Sequence, residues 1–233
     1  MSDLLHFSEH RLQEVALGFM AIVYITRLIW LLRFKAGRDR QPPTGLPGTT
    51  PRKGILYSWA NVAMPWAMES TRTKAVIYAQ FVVFHLGVTA AILLSFVIPY
   101  APRLLELPGV VPVVQAIIGA ACLVGVMRII RRAGDKYMRA ISSPDDYFSL
   151  ILLTVWFFFA TLAVPNNTQG GEGIMLAYFM LTAFFLIYVP FSKISHYLYY
   201  PFTRYYLGRT LGHRGSYPVR HVAPARNQTP VVS

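Results

Sequence analysis

The chain has 233 residues, of which 55% are hydrophobic and only 14% are charged, and its formal net charge is +12. A soluble domain carries about 25% charged residues, so this composition is typical of a membrane protein and argues against a soluble enzyme. Cys122 is the one cysteine, which excludes an internal disulfide, covalently attached haem, a cysteine-ligated iron–sulfur cluster and a cysteine-rich zinc site.

Five apolar segments are long enough to cross a bilayer core of about 30 Å as helices. They cover residues 15–32, 75–98, 109–130, 147–164 and 174–200, and Pro190 and Lys193 interrupt the last one. The residues before the first segment hold mixed charges and no cleavage pattern, so we expect that segment to remain in the protein. The sequence predicts an all-α integral membrane protein, with a single membrane domain over 1–233 that forms a five-transmembrane-helix bundle.

The positive charges predict the topology of this bundle. Residues 33–74 carry eight Lys and Arg, residues 128–139 carry five and residues 193–233 carry six, whereas the other side holds only Arg11 and Arg103. By the positive-inside rule, the N-terminus lies outside and the C-terminus is cytoplasmic. We therefore expect a multi-pass protein of the cell (inner or cytoplasmic) membrane. The net charge of +12 is explained by this topology, and we expect no nucleic-acid partner.

Two polar segments are predicted on the cytoplasmic side. Residues 37–74 form a cytoplasmic or interfacial loop, which begins with the Pro- and Gly-rich stretch GRDRQPPTGLPGTTPRKG. Its second part, ILYSWANVAMPWAMESTRTK, is rich in aromatic residues that prefer the headgroup level of a membrane. Residues 207–233 form a basic cytoplasmic tail, which either wraps a partner or stays disordered.

One histidine lies inside an apolar helix. The stretch FVVFHLGVTAAILLSFVIP contains His85, and an ionisable residue at membrane depth is costly enough to suggest a function. Three interpretations compete: a hydrogen bond between helices, a proton relay, or an axial ligand of a metal centre such as haem. The haem interpretation requires a second histidine on a facing helix.

His196 is the other histidine in an apolar segment, since the remaining four lie outside, at positions 6, 10, 213 and 221. Counted from the cytoplasmic edge of the bilayer, His85 lies about 12 Å deep and His196 about 6 Å deep. Helix tilt or an extended helix absorbs a difference of about 6 Å. The two helices can therefore clamp one haem in the cytoplasmic half of the membrane.

The residues around these histidines resemble a known family. FHLGV, SPDDYFSLILL and PFSKISHYLYYPFTRY resemble the cytochrome b family of the respiratory nitrate reductase gamma subunit. Its heterodisulfide-reductase-like, sulfite-reductase-associated and hydrogenase-associated relatives look similar. The resemblance covers roughly residues 70–206. It implies five helices, an outside N-terminus, b-type haem, and electron exchange between quinone and an iron–sulfur or catalytic partner subunit.

The resemblance also suggests how many haems are bound. His85 and His196 match the axial ligand pair of the haem nearer the cytoplasm. At the positions of the second pair in two-haem relatives, this chain has Ser95 and Tyr178. Neither is a usual ligand of a low-spin haem b. We expect one haem b; the alternative is a second haem held by an unexpected ligand such as His10.

Cations and carboxylates near the helix ends have two interpretations each. Lys193, Arg131 and Arg128 are candidates to bind the haem propionates, or they only anchor helices at the membrane surface. Asp145 and Asp146 are expected to cap the fourth membrane helix, with proton uptake as the alternative.

The sequence predicts a membrane electron-transfer subunit that contains haem b and is itself non-catalytic. It links the quinone pool to a cytoplasmic-side iron–sulfur or catalytic subunit of a respiratory oxidoreductase complex. The alternative is a cofactor-free membrane anchor of such a complex, in which His85 and His196 are interhelical hydrogen-bonders. A small transporter is disfavoured, because five helices give no inverted repeat.

Overall fold

The structure, a computed structural model, describes residues 2–34, 37, 39–43, 45, 47–67 and 72–219. It is 79% helix, and the described residues contain no strand. Among the described residues, five helices are long and apolar enough to span a membrane. The predicted all-helical class is thereby confirmed, and so are five helices whose length and composition suit a membrane. Together they indicate a multi-pass membrane protein.

The α-helices of the described residues are numbered here in chain order. They are α1 (Asp3–Glu9), α2 (Arg11–Arg33), α3 (Pro51–Ala60), α4 (Ala75–Tyr100), α5 (Val110–Gly134), α6 (Lys136–Ala140), α7 (Pro144–Ala163), α8 (Gly173–Tyr188) and α9 (His196–His213). Short 3₁₀ turns cover Asn61–Ala63, Pro102–Glu106, Val189–Phe191 and Lys193–Ser195. The apolar segments predicted from the sequence correspond to α2, α4, α5, α7 and α8 together with the turns after it.

Local sequence signals explain where these helices begin. Gly109, with φ of 83°, precedes α5, and this left-handed conformation favours glycine. Helix α7 begins with Pro144 in its first turn and with a capping box. In that box the backbone N–H of Ser143 donates to the Asp146 carboxylate at 2.7 Å. The predicted capping role of Asp146 is confirmed.

Contacts divide the chain into two compact units, where the sequence predicts a single membrane domain over 1–233. The first unit comprises residues 1–34 and 76–196, and the second comprises residues 35–75 and 197–233. The first unit therefore holds nearly all of the five apolar helices. The second holds the predicted loop and the end of the chain.

In the first unit, small residues let the helices approach closely. Helix α5 packs against α7, which packs against α8, and α8 packs against α2. Gly87 of α4 faces Ala121 of α5, where a methyl group on the glycine would have no room. Gly125 of α5 faces Thr154 of α7 in the same way. Stripes of small residues are the usual means by which membrane helices pack, because the lipid provides no hydrophobic drive between them.

The second unit is built on a crossing of α3 and α9. Gly54 of α3 lies against Gly208 and Gly212 of α9, which are four residues apart and share one helix face. The Arg204 side chain donates from Nε to the carbonyl oxygen of Ser58 at 2.9 Å and also binds Asn61. The predicted loop 37–74 thus contains a helix that is held by the C-terminal helix.

The predicted basic tail 207–233 is helical in its first part, because α9 continues to His213. The tail is described up to residue 219, and residues 220–233 lie outside the described residues. For residues 220–233, the expectation that the tail wraps a partner or stays disordered remains a prediction. Residues 38, 44, 46 and 68–71 of the predicted loop, and residues 35–36 before it, also lie outside the described residues.

Candidate functional site

The break in the last apolar segment places His196 at the start of a new helix. Helix α8 ends at Tyr188, and a 3₁₀ turn follows at Val189–Phe191. Pro190 lacks a backbone N–H and cannot continue the helical hydrogen bonding of α8. Ser192 is extended, with φ of −101° and ψ of 171°, before a second turn at Lys193–Ser195. Helix α9 then begins at His196.

His85 of α4 and His196 are brought together within the first unit. Their ring centroids lie 6.4 Å apart and the ring planes are inclined by 80°. A metal held between two imidazoles at about 2 Å from each nitrogen sets the centroids roughly 6.3 Å apart, because each centroid lies about 1.2 Å behind its nitrogen. The observed separation therefore fits two axial ligands of one metal, and the offset in depth counted from the sequence does not separate the rings.

The Nδ1 atom of each histidine lies within hydrogen-bonding distance of a backbone carbonyl oxygen. Nδ1 of His85 lies 2.7 Å from the carbonyl oxygen of Phe81, one helical turn earlier. Nδ1 of His196 lies 3.1 Å from the carbonyl oxygen of Lys193. A nitrogen that faces a carbonyl oxygen carries the hydrogen, so Nε2 of each neutral ring keeps its lone pair. This is the usual arrangement of a metal-ligating histidine.

The two Nε2 atoms have no partner in the part of the chain that the structure describes. Both imidazoles are exposed in the structure, His85 within the apolar helix α4 and His196 at the start of α9. Two lone pairs cannot hydrogen-bond each other, and a polar nitrogen that faces lipid is costly. The pair therefore calls for a Lewis acid or a donor between or beside the rings.

The donor set suits haem better than a bare metal ion. Among the described residues, no group of three or more His, Cys, Asp or Glu side chains can hold a metal ion. Two imidazoles alone leave most coordination positions of an ion empty, whereas haem brings its own equatorial nitrogens and needs two axial donors. The residues present thus fit a haem with two histidine ligands.

Aromatic rings and one cation surround His85. The Phe81 ring centroid lies 4.2 Å from that of His85, and the Phe84 centroid lies 6.2 Å away. The guanidinium carbon of Arg128 from α5 stands 4.8 Å from the Phe84 centroid. Arg128 is half-buried. The Phe84 ring lies between its guanidinium and the His85 ring.

The other two predicted propionate ligands are placed differently. The Lys193 ammonium lies 2.8 Å from Oγ of Ser143 and 3.0 Å from each Asp146 carboxylate oxygen. Its three hydrogens therefore have three acceptors at the start of α7. Arg131 is exposed at the end of α5. Of the three candidates, Arg128 is the one that the described contacts connect to His85.

Ser95 and Tyr178, the two positions at which the sequence lacks a second histidine pair, are both buried. Tyr178 of α8 is completely buried, and its hydroxyl donates to the carbonyl oxygen of Ala91 on α4 at 2.6 Å. The Trp156 ring stacks against it with centroids 6.3 Å apart. Ser95 is also buried and donates to the carbonyl oxygen of Ile92 at 2.7 Å. Side chains fill the space between these two helices.

The alternative outer ligand, His10, lies near two other rings. Its centroid is 4.8 Å from that of His6 and 5.4 Å from that of Tyr100. His213 belongs to the second unit, and His221 lies outside the described residues. The structure therefore brings together one histidine pair from the two apolar segments, as the haem interpretation requires.

Sequence reasoning named both histidines but not the groups that orient them. The acceptors are backbone carbonyls of Phe81 and Lys193, and a backbone acceptor has no signature in residue type. The acceptor of His85 could have been predicted, because within a helix a histidine ring can reach the carbonyl oxygen four residues earlier, here that of Phe81.

Comparison of the chain with models of known protein families, with curated proteins and with solved structures finds no match.

Proposed function

We propose that the chain is a membrane electron-transfer subunit that holds one haem b between His85 and His196. The single observation that carries the proposal is the geometry of this pair. The two rings are 6.4 Å apart, each Nδ1 is bound to a carbonyl oxygen, and each Nε2 is available. The resemblance of FHLGV and PFSKISH to the respiratory nitrate reductase gamma-subunit family supports the same assignment.

The competing anchor function requires hydrogen bonds from the two histidine rings to other helices, and the described contacts contain none. As interhelical hydrogen-bonders, the two histidines would each donate to or accept from another helix. The hydrogen bonds of their rings go instead to the carbonyls of Phe81 and Lys193, each within four residues of its own ring. Each ring is thus oriented by its own segment and keeps its Nε2 atom without a hydrogen-bond partner among the described residues, which favours ligation over structural bonding.

The chain's own residues account for binding, orientation and protection from water. When bound, haem b supplies one-electron transfer between ferric and ferrous iron. His85 and His196 would hold the haem through their Nε2 atoms, and the carbonyl oxygens of Phe81 and Lys193 fix the orientation of the two rings. Arg128 offers a guanidinium to a propionate, and Lys193 and Arg131 are weaker candidates for that contact. The apolar helices exclude water, which sets the dielectric around the pair.

The packing around Tyr178 supports a single haem. A second haem at this level would need the space that Tyr178 and Trp156 occupy, and neither Ser95 nor Tyr178 supplies a strong axial donor. Removing a fully buried tyrosine and its hydrogen bond to Ala91 would disrupt the bundle.

The placement of basic residues supports a cytoplasmic position for the histidine pair, with the N-terminus outside and the C-terminus inside. An iron–sulfur or catalytic subunit then docks on the basic cytoplasmic surface and exchanges electrons with this chain. Quinone exchanges electrons and protons on the same side, since an outer site would be distant from the pair. The protein resides in the cell (inner or cytoplasmic) membrane as part of a respiratory oxidoreductase complex.

A pyridine haemochrome assay on the full chain, purified in detergent, tests the haem assignment. We expect one haem b per chain for the unmodified protein. His85→Ala and His196→Ala are each expected to lose it, because one axial donor does not retain a low-spin haem. His10→Ala serves as the matched control and is expected to keep the haem. Circular dichroism and size exclusion confirm that each variant is folded.

Three results would contradict the proposal or part of it. A folded, colourless wild-type protein would reject the haem and favour the anchor function. Retention of the full haem content and low-spin spectrum in both His85→Ala and His196→Ala would reject the ligand pair. Two haems per chain, one of them lost in His10→Ala, would show that a second ligand set exists at the outer end.

A further inference from the structure

The second unit contains a groove, lined in part by polar and charged side chains, that the proposed electron transfer does not use. Its volume is about 240 Å³, and it lies between α9 and the segments that carry Asp39 and Pro51. Helix α9 contributes Tyr206, Arg209, Thr210 and His213.

The lining residues of α9 are placed by helical periodicity. Positions 206, 209, 210 and 213 are spaced by three, four and seven residues from the first, so they share one face of the helix. The four side chains bring a phenol hydroxyl, a guanidinium, an aliphatic hydroxyl and an imidazole to one groove. The phenol, the guanidinium and the aliphatic hydroxyl can all donate hydrogen bonds, and such a set suits a ligand with several acceptor oxygens.

The negative charge in the groove is already neutralised. The Asp39 carboxylate accepts from Nε of Arg214 at 2.6 Å and from its Nη2 at 3.2 Å. These hydrogen bonds lower the pKa of Asp39 and raise that of Arg214, so both groups stay charged at neutral pH. Among the described residues, the Arg209 guanidinium has no ion pair or hydrogen bond. The groove therefore has one uncompensated positive charge.

His213 is held in place on the other side of the groove. Its Nε2 lies 3.1 Å from the carbonyl oxygen of Gln41, so that nitrogen carries the hydrogen and the ring is fixed.

The charge of the whole second unit favours an anionic ligand. Its described residues include one carboxylate, that of Asp39. Its described basic residues are Arg40, Arg52, Lys53, Arg72, Lys74, Arg204, Arg209 and Arg214. Such an excess raises the local concentration of anions and steers them to the surface. In a multi-pass membrane protein, the phosphates of anionic lipids are abundant nearby, and basic pockets on the cytoplasmic side commonly bind them.

We propose that this groove binds a phosphate group, with Arg209 as the charged contact and Thr210 and Tyr206 as hydroxyl donors. Two sources carry this chemistry: the headgroup of an anionic phospholipid and a free phosphate ester or ion. The site is independent of the histidine pair, and it does not depend on the proposed haem.

The test uses the full chain in detergent, with two probes. Phosphatidic acid in mixed micelles is counted on the protein by native mass spectrometry, and inorganic phosphate is titrated while the thermal transition is followed. Arg209→Gln removes the charged contact. Arg72→Gln is the matched control, because Arg72 is exposed in the same unit and does not line the groove.

We expect the apparent affinity for the bound probe to fall at least tenfold in Arg209→Gln and to stay within twofold of wild type in Arg72→Gln. Binding of phosphatidic acid without an effect of inorganic phosphate identifies the lipid source. A thermal shift with millimolar phosphate that Arg209→Gln abolishes identifies the free source. The proposal would be overturned if Arg209→Gln bound the probe as tightly as Arg72→Gln. It would also be overturned if the protein bound neither probe, or bound only an acidic peptide such as polyglutamate.

Discussion

The crossing of α3 and α9 gives a sharp prediction, because it depends on the absence of a side chain. A first side-chain carbon at position 208 would lie 2.6 Å from the carbonyl oxygen of Gly54 and 2.6 Å from Cα of Ile55. It would also lie 2.8 Å from Cβ of Ser58. Ordinary contacts between carbon atoms are about 3.5–4.0 Å, so the helices must separate by roughly 1 Å. Two of the three neighbours are backbone atoms, which cannot rotate away.

The expected cost of Gly208→Leu follows from these distances. Overpacking costs about 1–3 kcal/mol, and rigid backbone neighbours place this site near the upper value. Replacing glycine within a helix returns roughly 0.8 kcal/mol of helix propensity. The net destabilisation is therefore about 2 kcal/mol. Because 1.4 kcal/mol corresponds to a factor of ten, the open form of the crossing becomes about 30-fold more populated.

Hydrogen exchange read by mass spectrometry on the full chain in micelles measures this opening. Amides of α3 are expected to exchange about 30-fold faster in Gly208→Leu, while amides of α5 keep their rates. Gly18→Leu is the matched control, since nothing lies within 4 Å of a Cβ at Gly18 in the middle of α2. Unchanged exchange of α3 in Gly208→Leu would refute the close crossing. Faster exchange throughout α5 would show global unfolding and would refute the local assignment.

Two further predictions concern the first unit. Tyr178→Phe removes the hydrogen bond to the Ala91 carbonyl oxygen but keeps the ring. In a denaturant titration we expect the free energy of unfolding to fall by about 0.6–1.5 kcal/mol, with unchanged haem content. A loss above about 3 kcal/mol would contradict a role limited to this one hydrogen bond. The Glu172 carboxylate accepts hydrogen bonds from the side chain and backbone of Ser2, which lower its pKa below the ordinary value of 4.5. The stabilisation is therefore complete above about pH 4.5 and is lost as the pH falls toward the lower pKa of the folded state. We expect the thermal midpoint of wild type to decrease over this acidic range more than that of Glu172→Gln, and equal acid dependence of the two proteins would contradict the contact.

The positions of the membrane helices could be predicted because hydrocarbon imposes a length and a composition on each crossing. Every backbone polar group in lipid must be bonded within its helix, so a long apolar run has few alternatives to helix. The break near Pro190 was equally readable, since proline cannot donate the next helical hydrogen bond. Asp146 could be assigned to a cap because the cap is formed by residues three positions apart.

Other features were not readable because they depend on residues far apart in the chain. Nothing in the sequence near Gly54 indicates that it meets Gly208 and Gly212, about 150 residues later, and the segment around it was predicted to be a loop. The ion pair between Lys193 and Asp146 could not be predicted for the same reason. Lys193 was a candidate to bind a haem propionate, and the structure places its ammonium at the start of α7 instead.

The sequence by itself determined the all-helical class of this protein, the five helices long and apolar enough to span a membrane, and the two histidines in apolar segments. These follow from local rules: hydropathy over about 20 residues, helix caps, and the cost of a polar ring in lipid. Only the tertiary structure decided that His85 and His196 are neighbours with their Nε2 atoms available, and that Tyr178 is completely buried between helices. The physical reason is that a pairwise distance depends on helix packing, which is set by many weak contacts summed over the whole bundle.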